Sequence, residues 1–152
     1  MADTYMSALN RPEWINPVEG PVTSLFGMRT NPVTHLPDFH NGLDIAVAVD
    51  TPVLAVRCAI VDHVGYTRLN GFYMRLICDE GYHIIYAHLN EILVDVDDIV
   101  SQGQKVARSG NTGQSTGPHL HYGLSRDGQW IDPLYRVDLQ LSSAAALAYA
   151  QR

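Results

Sequence analysis

Five side chains in three short stretches carry most of the chemistry in this sequence. His40 and Asp44 lie in His40-Asn41-Gly42-Leu43-Asp44, His88 in Tyr86-Ala87-His88-Leu89, and His119 and His121 in His119-Leu120-His121. Imidazole nitrogens and carboxylate oxygens are the donors that hold Zn²⁺ when a few of them converge on one point. In a strand, the two imidazoles of His-x-His fall on one face, because side chains alternate with period two. A single histidine is more often a structural or surface residue, and His-x-x-x-Asp spacing is common by chance. The weight lies in the combination.

Such a cluster needs a rigid frame, and the rest of the chain reads as strands. Thr51 to Tyr66 is rich in Val and Ile. Phe72–Cys78 and Tyr82–His88 are joined by Asp79-Glu80-Gly81, a hairpin signal. Gln104–Arg108 is a further short run, followed by Ser109-Gly110-Asn111-Thr112-Gly113, and His119–Ser125 is a last long one. Asp127-Gly128 then turns the chain back to Trp130-Ile131. Short strand-length runs with Gly-rich connections predict a mainly β, antiparallel domain, with an open groove over one sheet. Only Leu139–Gln151, with its Ala-rich SSAAALAYA, has helical character. The expected organisation is a loose arm over residues 1–13, one domain over 14–138 and a helical tail over 139–152.

Composition narrows the function. At 152 residues the chain is long enough to bury its own core. The formal net charge of −6 and the scattered basic residues exclude a nucleic-acid binder, since affinity for phosphates rests on Lys and Arg. No apolar run approaches the ~20 residues that span a bilayer, so stable membrane insertion is not expected. The start, MADTYMSALNRPEW, lacks a basic stretch followed by an apolar core and is not a secretory signal as written. Cys58 and Cys78 form no CxxC unit and are expected to be two buried thiols.

Several residues invite sharper roles than their context supports. His35 and His63 stand outside the motifs. Asp95, Asp97 and Asp98 lack the loop and distal Glu of a calcium site. No GxSxG elbow surrounds Ser115 and Thr116, whose Gly-rich loop is expected to shape a cleft wall. Packing is the expected role of Tyr86 and Tyr122. Arg29, Asn31 and Gln114 are expected either to contact substrate or to make structural hydrogen bonds.

From about Pro17 to Leu134 the chain resembles the lysostaphin-like zinc metallopeptidases, which cut peptide cross-links in bacterial peptidoglycan. The resemblance runs through Phe26-Gly27-Met28-Arg29, His40-Asn41-Gly42-Leu43-Asp44, Thr51-Pro52-Val53, Tyr86-Ala87-His88-Leu89, Val100-Ser101-Gln102-Gly103-Gln104, Ser109 to His121, and Asp132-Pro133-Leu134. Ala59, Asp97 and Gly123 depart from the family pattern; they bear on groove shape rather than on the ligand set.

The resemblance implies that His40, Asp44 and His121 hold one Zn²⁺ per chain, and that His88 and His119 are the catalytic pair. Three protein ligands leave a fourth position for water, the pattern of a catalytic zinc. Bound Zn²⁺ can lower the pKa of water to about 7 and polarise a carbonyl. No HExxH is present, so a neutral imidazole is the natural base. Sequence alone chooses neither between His88 and His119 as principal base nor between His119 and His121 as ligand; only the resemblance makes the second choice. The implied substrate is a peptide bond of a peptidoglycan cross-bridge or stem peptide, with action expected at the cell wall, whether extracellular, periplasmic or phage-delivered. A monomer is the simplest expectation. The alternative is a non-catalytic domain of the same fold that binds or regulates partners at the wall; retention of all five residues favours the enzyme.

Overall fold

Runs rich in Val, Ile and Tyr become strands because β-branched and aromatic side chains pack well on a pleated surface. The computed structural model describes residues 13–152; the arm expected over residues 1–13 lies, apart from Glu13, outside them. Among the described residues the strands are β1 (Val22–Ser24), β2 (Gly27–Thr30), β3 (Pro37–His40), β4 (Gly42–Ala46), β5 (Pro52–Leu54), β6 (Ala59–Thr67), β7 (Gly71–Ile77), β8 (Tyr82–Ile92), β9 (Ile99–Val100), β10 (Lys105–Ser109), β11 (His119–Arg126) and β12 (Gln129–Ile131). A 3-10 turn at Pro133–Arg136 and one helix, α1 (Ser143–Ala150), follow.

The fold is the mainly β, antiparallel architecture that the sequence predicts. One sheet runs β1-β4-β11-β8-β7-β6-β9, with β12 beside β11 and β10 linking β8 to β5; β2 and β3 form a separate hairpin. β11 is an interior strand, paired with β4 on one side and β8 on the other. Leu43, Ile45, Leu120, Tyr122, Leu124, Ile84 and Tyr86 are fully buried on one face of these three strands. Each such side chain stabilises the fold by roughly 1.5–3 kcal/mol. The opposite face is left to Asp44, His119 and His121, which is what strand alternation requires.

Three local features differ from expectation. The Thr51–Tyr66 stretch is not continuous: β5 and β6 are separated by a corner at residues 55–58. Tyr86 pins that corner, its hydroxyl donating to the Leu54 carbonyl at 2.8 Å and accepting from Val56 N–H at 3.1 Å. Cys58, the last residue of the corner, is exposed, so only Cys78 is the buried thiol expected; both are free. The helix starts at Ser143, whose N-cap Ser142 accepts from Ala145 N–H at 3.1 Å. The residues before it are extended against β1, where Val22 N–H donates to the Gln140 carbonyl and Ser142 N–H to the Val22 carbonyl.

Candidate metal centre and active site

Beside the face of β4 and β11 turned away from the core lies a cleft of about 600 Å³, whose lining includes all five residues singled out from sequence. Asp44 on β4 and His121 on β11 are register partners. His40, the last residue of β3, reaches the same point from the neighbouring hairpin. Their inward atoms form a near-equilateral triangle. His40 Nε2 is 3.1 Å from Asp44 Oδ1 and 3.2 Å from His121 Nδ1, and His121 Nδ1 is 3.2 Å from Asp44 Oδ1.

That triangle fits a tetrahedral cation. Donors about 2.0–2.1 Å from Zn²⁺ lie about 3.3 Å from one another along a tetrahedral edge. The protonation pattern agrees. His40 Nδ1 is 2.9 Å from the Leu25 carbonyl, which only accepts, so Nδ1 carries the proton and the neutral ring's lone pair sits on Nε2. A lone pair and a carboxylate oxygen therefore face each other at 3.1 Å, an arrangement that a cation between them relieves.

The glycine between His40 and Asp44 has a steric cause. A Cβ on Gly42 would stand 2.4 Å from the Tyr122 carbonyl oxygen and 2.9 Å from His121 Cε1. Only glycine lets β4 approach β11 this closely two rungs from the Asp44–His121 pair.

His88 and His119 stand beside the triangle, with ring centroids 4.8 Å apart. His119 Nε2 is 3.6 Å from Asp44 Oδ1. Its Nδ1 donates to the Gly117 carbonyl at 2.8 Å, with Ser115 Oγ at 3.1 Å, in the Gly-rich loop expected to wall the cleft. His88 arrives by a different device. Regular alternation would place it on the same face as Tyr86, in the core. Instead Tyr86 pairs with Met74 and Leu89 with Phe72, so three steps along β8 span two along β7. This is a β-bulge, and such bulges re-aim side chains. His88 has φ +61° there, its N–H donates to the Asn70 carbonyl at 2.8 Å, and its Nδ1 donates to the Thr112 carbonyl at 2.7 Å. Burial pushes the His88 imidazole down to about 4, with His119 and His121 adding to the push against the Thr112 hydrogen bond. His88 is thus neutral at pH 7 with a lone pair on Nε2, the state of a proton acceptor.

The other expected neighbours divide. Arg29 and Asn31 make structural hydrogen bonds: Arg29 to Asp38, Ser24 and Asp44, and Asn31 to Asp38. Gln114 lines the cleft, and so do Arg29 and Asn31. His63 pairs with the Tyr73 hydroxyl at 2.9 Å, away from the site. Tyr86 and Tyr122 are core residues. Sequence reasoning missed the carbonyls of Leu25, Thr112 and Gly117 that set the imidazole tautomers, because a backbone carbonyl leaves no mark in a sequence. It also missed Asp38, whose one signal is an acid two residues before His40.

Known proteins are similar to this chain in sequence and in fold. A model of peptidase family M23 matches residues 38–133. The peptidoglycan DD-endopeptidase ShyC of Vibrio cholerae is 38% identical over 105 residues, which are 69% of this chain and 24% of ShyC. A zinc-containing peptidase from Vibrio cholerae superposes with a TM-score of 0.72 at 32% identity, over 84% of this chain and 41% of that one. The catalytic domain of the antimicrobial peptidase lysostaphin from Staphylococcus simulans superposes with a TM-score of 0.68 at 29% identity, over 74% of this chain and 87% of that one. The chain spans between 22% and 29% of the length of the curated relatives it matches.

Proposed function

Because the chain belongs to peptidase family M23, we propose that it is a zinc-dependent endopeptidase that hydrolyses peptide bonds in peptidoglycan cross-bridges or stem peptides. The observation that carries this reading is the His40, Asp44 and His121 triangle with two further imidazoles beside it in one cleft. The relationship to a peptidoglycan DD-endopeptidase supports the substrate class.

In this reading His40 Nε2, Asp44 Oδ1 and His121 Nδ1 hold the metal. When bound, Zn²⁺ supplies a Lewis acid that polarises the scissile carbonyl and acidifies water. The Leu25 carbonyl fixes the His40 ring with its donor atom inward. His88 and His119 do the proton work: each has Nδ1 engaged by a backbone carbonyl, which leaves Nε2 as the nitrogen for the reacting groups. One accepts a proton as water adds to the carbonyl carbon. Once protonated, an imidazole can hydrogen-bond the tetrahedral oxyanion or pass its proton to the amine nitrogen as the C–N bond breaks. The products are a carboxylate and a free amine, so new amino termini report the reaction.

The test is digestion of purified peptidoglycans of differing cross-bridge chemistry by the zinc-loaded protein, with new amino termini identified by mass spectrometry. Release from at least one of them is the expected result. No new terminus from any of them, with zinc bound, refutes the proposed substrate.

A further inference from the structure

The two oxygens of Asp44 have different partners. Oδ1 faces the histidines, 3.1 Å from His40 Nε2 and 3.2 Å from His121 Nδ1. Oδ2 is 3.3 Å from Arg29 Nη1, and that same nitrogen donates to Ser24 Oγ at 2.8 Å. At the other edge of the guanidinium, Nε donates to Asp38 Oδ1 at 3.2 Å. Asp38 is held in turn, its Oδ2 accepting from Asn31 Nδ2 at 2.7 Å. Asn31 Oδ1 accepts from the Val33 and Thr34 N–H groups, which fixes it in the turn between β2 and β3.

We propose that Arg29 is a positioning residue that makes Asp44 a one-oxygen donor: by occupying Oδ2 it leaves only Oδ1 to the metal. The inference rests on the metal-centre reading above and adds to it a cause for the open coordination position. A carboxylate beside a divalent cation can bind through one oxygen or both. Binding through both would fill a position that a catalytic site reserves for water or substrate. The planar fork of Arg29 opposes this, because it reaches Asp44, Ser24 and Asp38 at once and cannot turn away without losing all three. The side chain is partly buried, with 21% relative exposure, so these contacts are only partly screened by water. Ser24 couples the fork to the other side of the site, since its Oγ is 3.5 Å from His40 Nδ1.

The test replaces zinc by Co²⁺, whose visible absorption distinguishes four from five ligands, and needs no substrate. Wild-type protein loaded with Co²⁺ should give the intense band of a four-coordinate ion. Arg29→Met should lose intensity toward the five-coordinate form as Asp44 swings both oxygens onto the metal. Arg29→Lys, which returns a cation to Oδ2, should recover the wild-type band. Circular dichroism establishes that each variant is folded. If Arg29→Met does not fold, Asp38→Ala removes the acceptor at the guanidinium's far edge and should weaken the band in the same direction.

A folded Arg29→Met variant, or in its place a folded Asp38→Ala variant, with the wild-type spectrum overturns the inference. So does a five-coordinate spectrum in the wild type, and either result leaves the metal-centre reading standing. Wild-type protein that takes up neither Co²⁺ nor Zn²⁺ overturns both.

Discussion

His121 Nδ1 and Asp44 Oδ1 lie 3.2 Å apart on partnered rungs of the β4–β11 ladder. Two of the three converging donors are therefore fixed by backbone pairing between adjacent strands. Only His40 comes from outside this ladder, and it is buried and tied to the Leu25 carbonyl. Donors carried on rigid elements hold their geometry better than donors on loops.

The purified protein is expected to bind one Zn²⁺ per chain. His40→Ala and Asp44→Ala each remove a donor from the triangle, and each should weaken binding by more than the 10–100-fold typical of outer-sphere changes. Affinity should also fall in acid as imidazoles protonate. Competition titration with a chelator measures it; unchanged affinity in both variants would exclude this donor set.

The remaining histidines should separate binding from turnover. His119→Ala and His88→Asn are expected to keep near-stoichiometric zinc while hydrolysis of cell-wall peptide falls by about 10²–10⁴-fold. Asn suits position 88 because it tolerates the positive φ of the bulge. His121→Ala should lose metal and activity together. Zinc content by elemental analysis, read beside release of amino termini, decides among these roles; zinc retained in His121→Ala but lost in His119→Ala would reverse the assignment within His-Leu-His.

The donors were legible in the sequence because metal chemistry depends on residue type, and because alternation in His119-Leu120-His121 puts both rings on one face. The delivery of His88 was not. In a regular strand it shares the parity of Tyr86 and reads as core, and the bulge that turns it outward exists only when β8 is laid against β7. The hairpin of β2 and β3 was also unread. Its four-residue strands leave Met28 and Phe39 exposed, so no apolar face announces them. Arg29 was visible as a charge, but its contact with Asp44 needs that hairpin folded over β4.

The low pKa of His88 makes stability depend on pH. In the unfolded chain this imidazole protonates near 6.5, whereas in the folded chain it stays neutral down to about 4. The unfolded state binds more protons across that window, so the metal-free protein loses stability as pH drops from 6.5 toward 4. His88→Asn should flatten the slope there. Denaturant unfolding of both proteins across the window checks it; parallel stability curves would contradict the shift.

Two buried tyrosines should respond oppositely to loss of their hydroxyls. The Tyr86 hydroxyl bonds both Leu54 and Val56. Tyr86→Phe strands two backbone groups and should cost about 1–3 kcal/mol. The Tyr122 hydroxyl has no hydrogen-bond partner among the described residues. Tyr122→Phe should be neutral or stabilising by about 1 kcal/mol. Chemical denaturation separates the two; a larger loss at Tyr122 would run against this accounting.

The place of β11 between β4 and β8 also sets an order of events in the making of the protein. Asp44 and His121 are 77 positions apart, and β4 and β8 are each made long before the strand that lies between them. A growing chain already holds His40, Asp44 and His88, yet neither His119 nor His121 exists until synthesis passes position 118. Those two arrive on the strand that fills the gap between β4 and β8, so the donor triangle and the imidazole pair are completed in the same step that joins those two strands into one sheet.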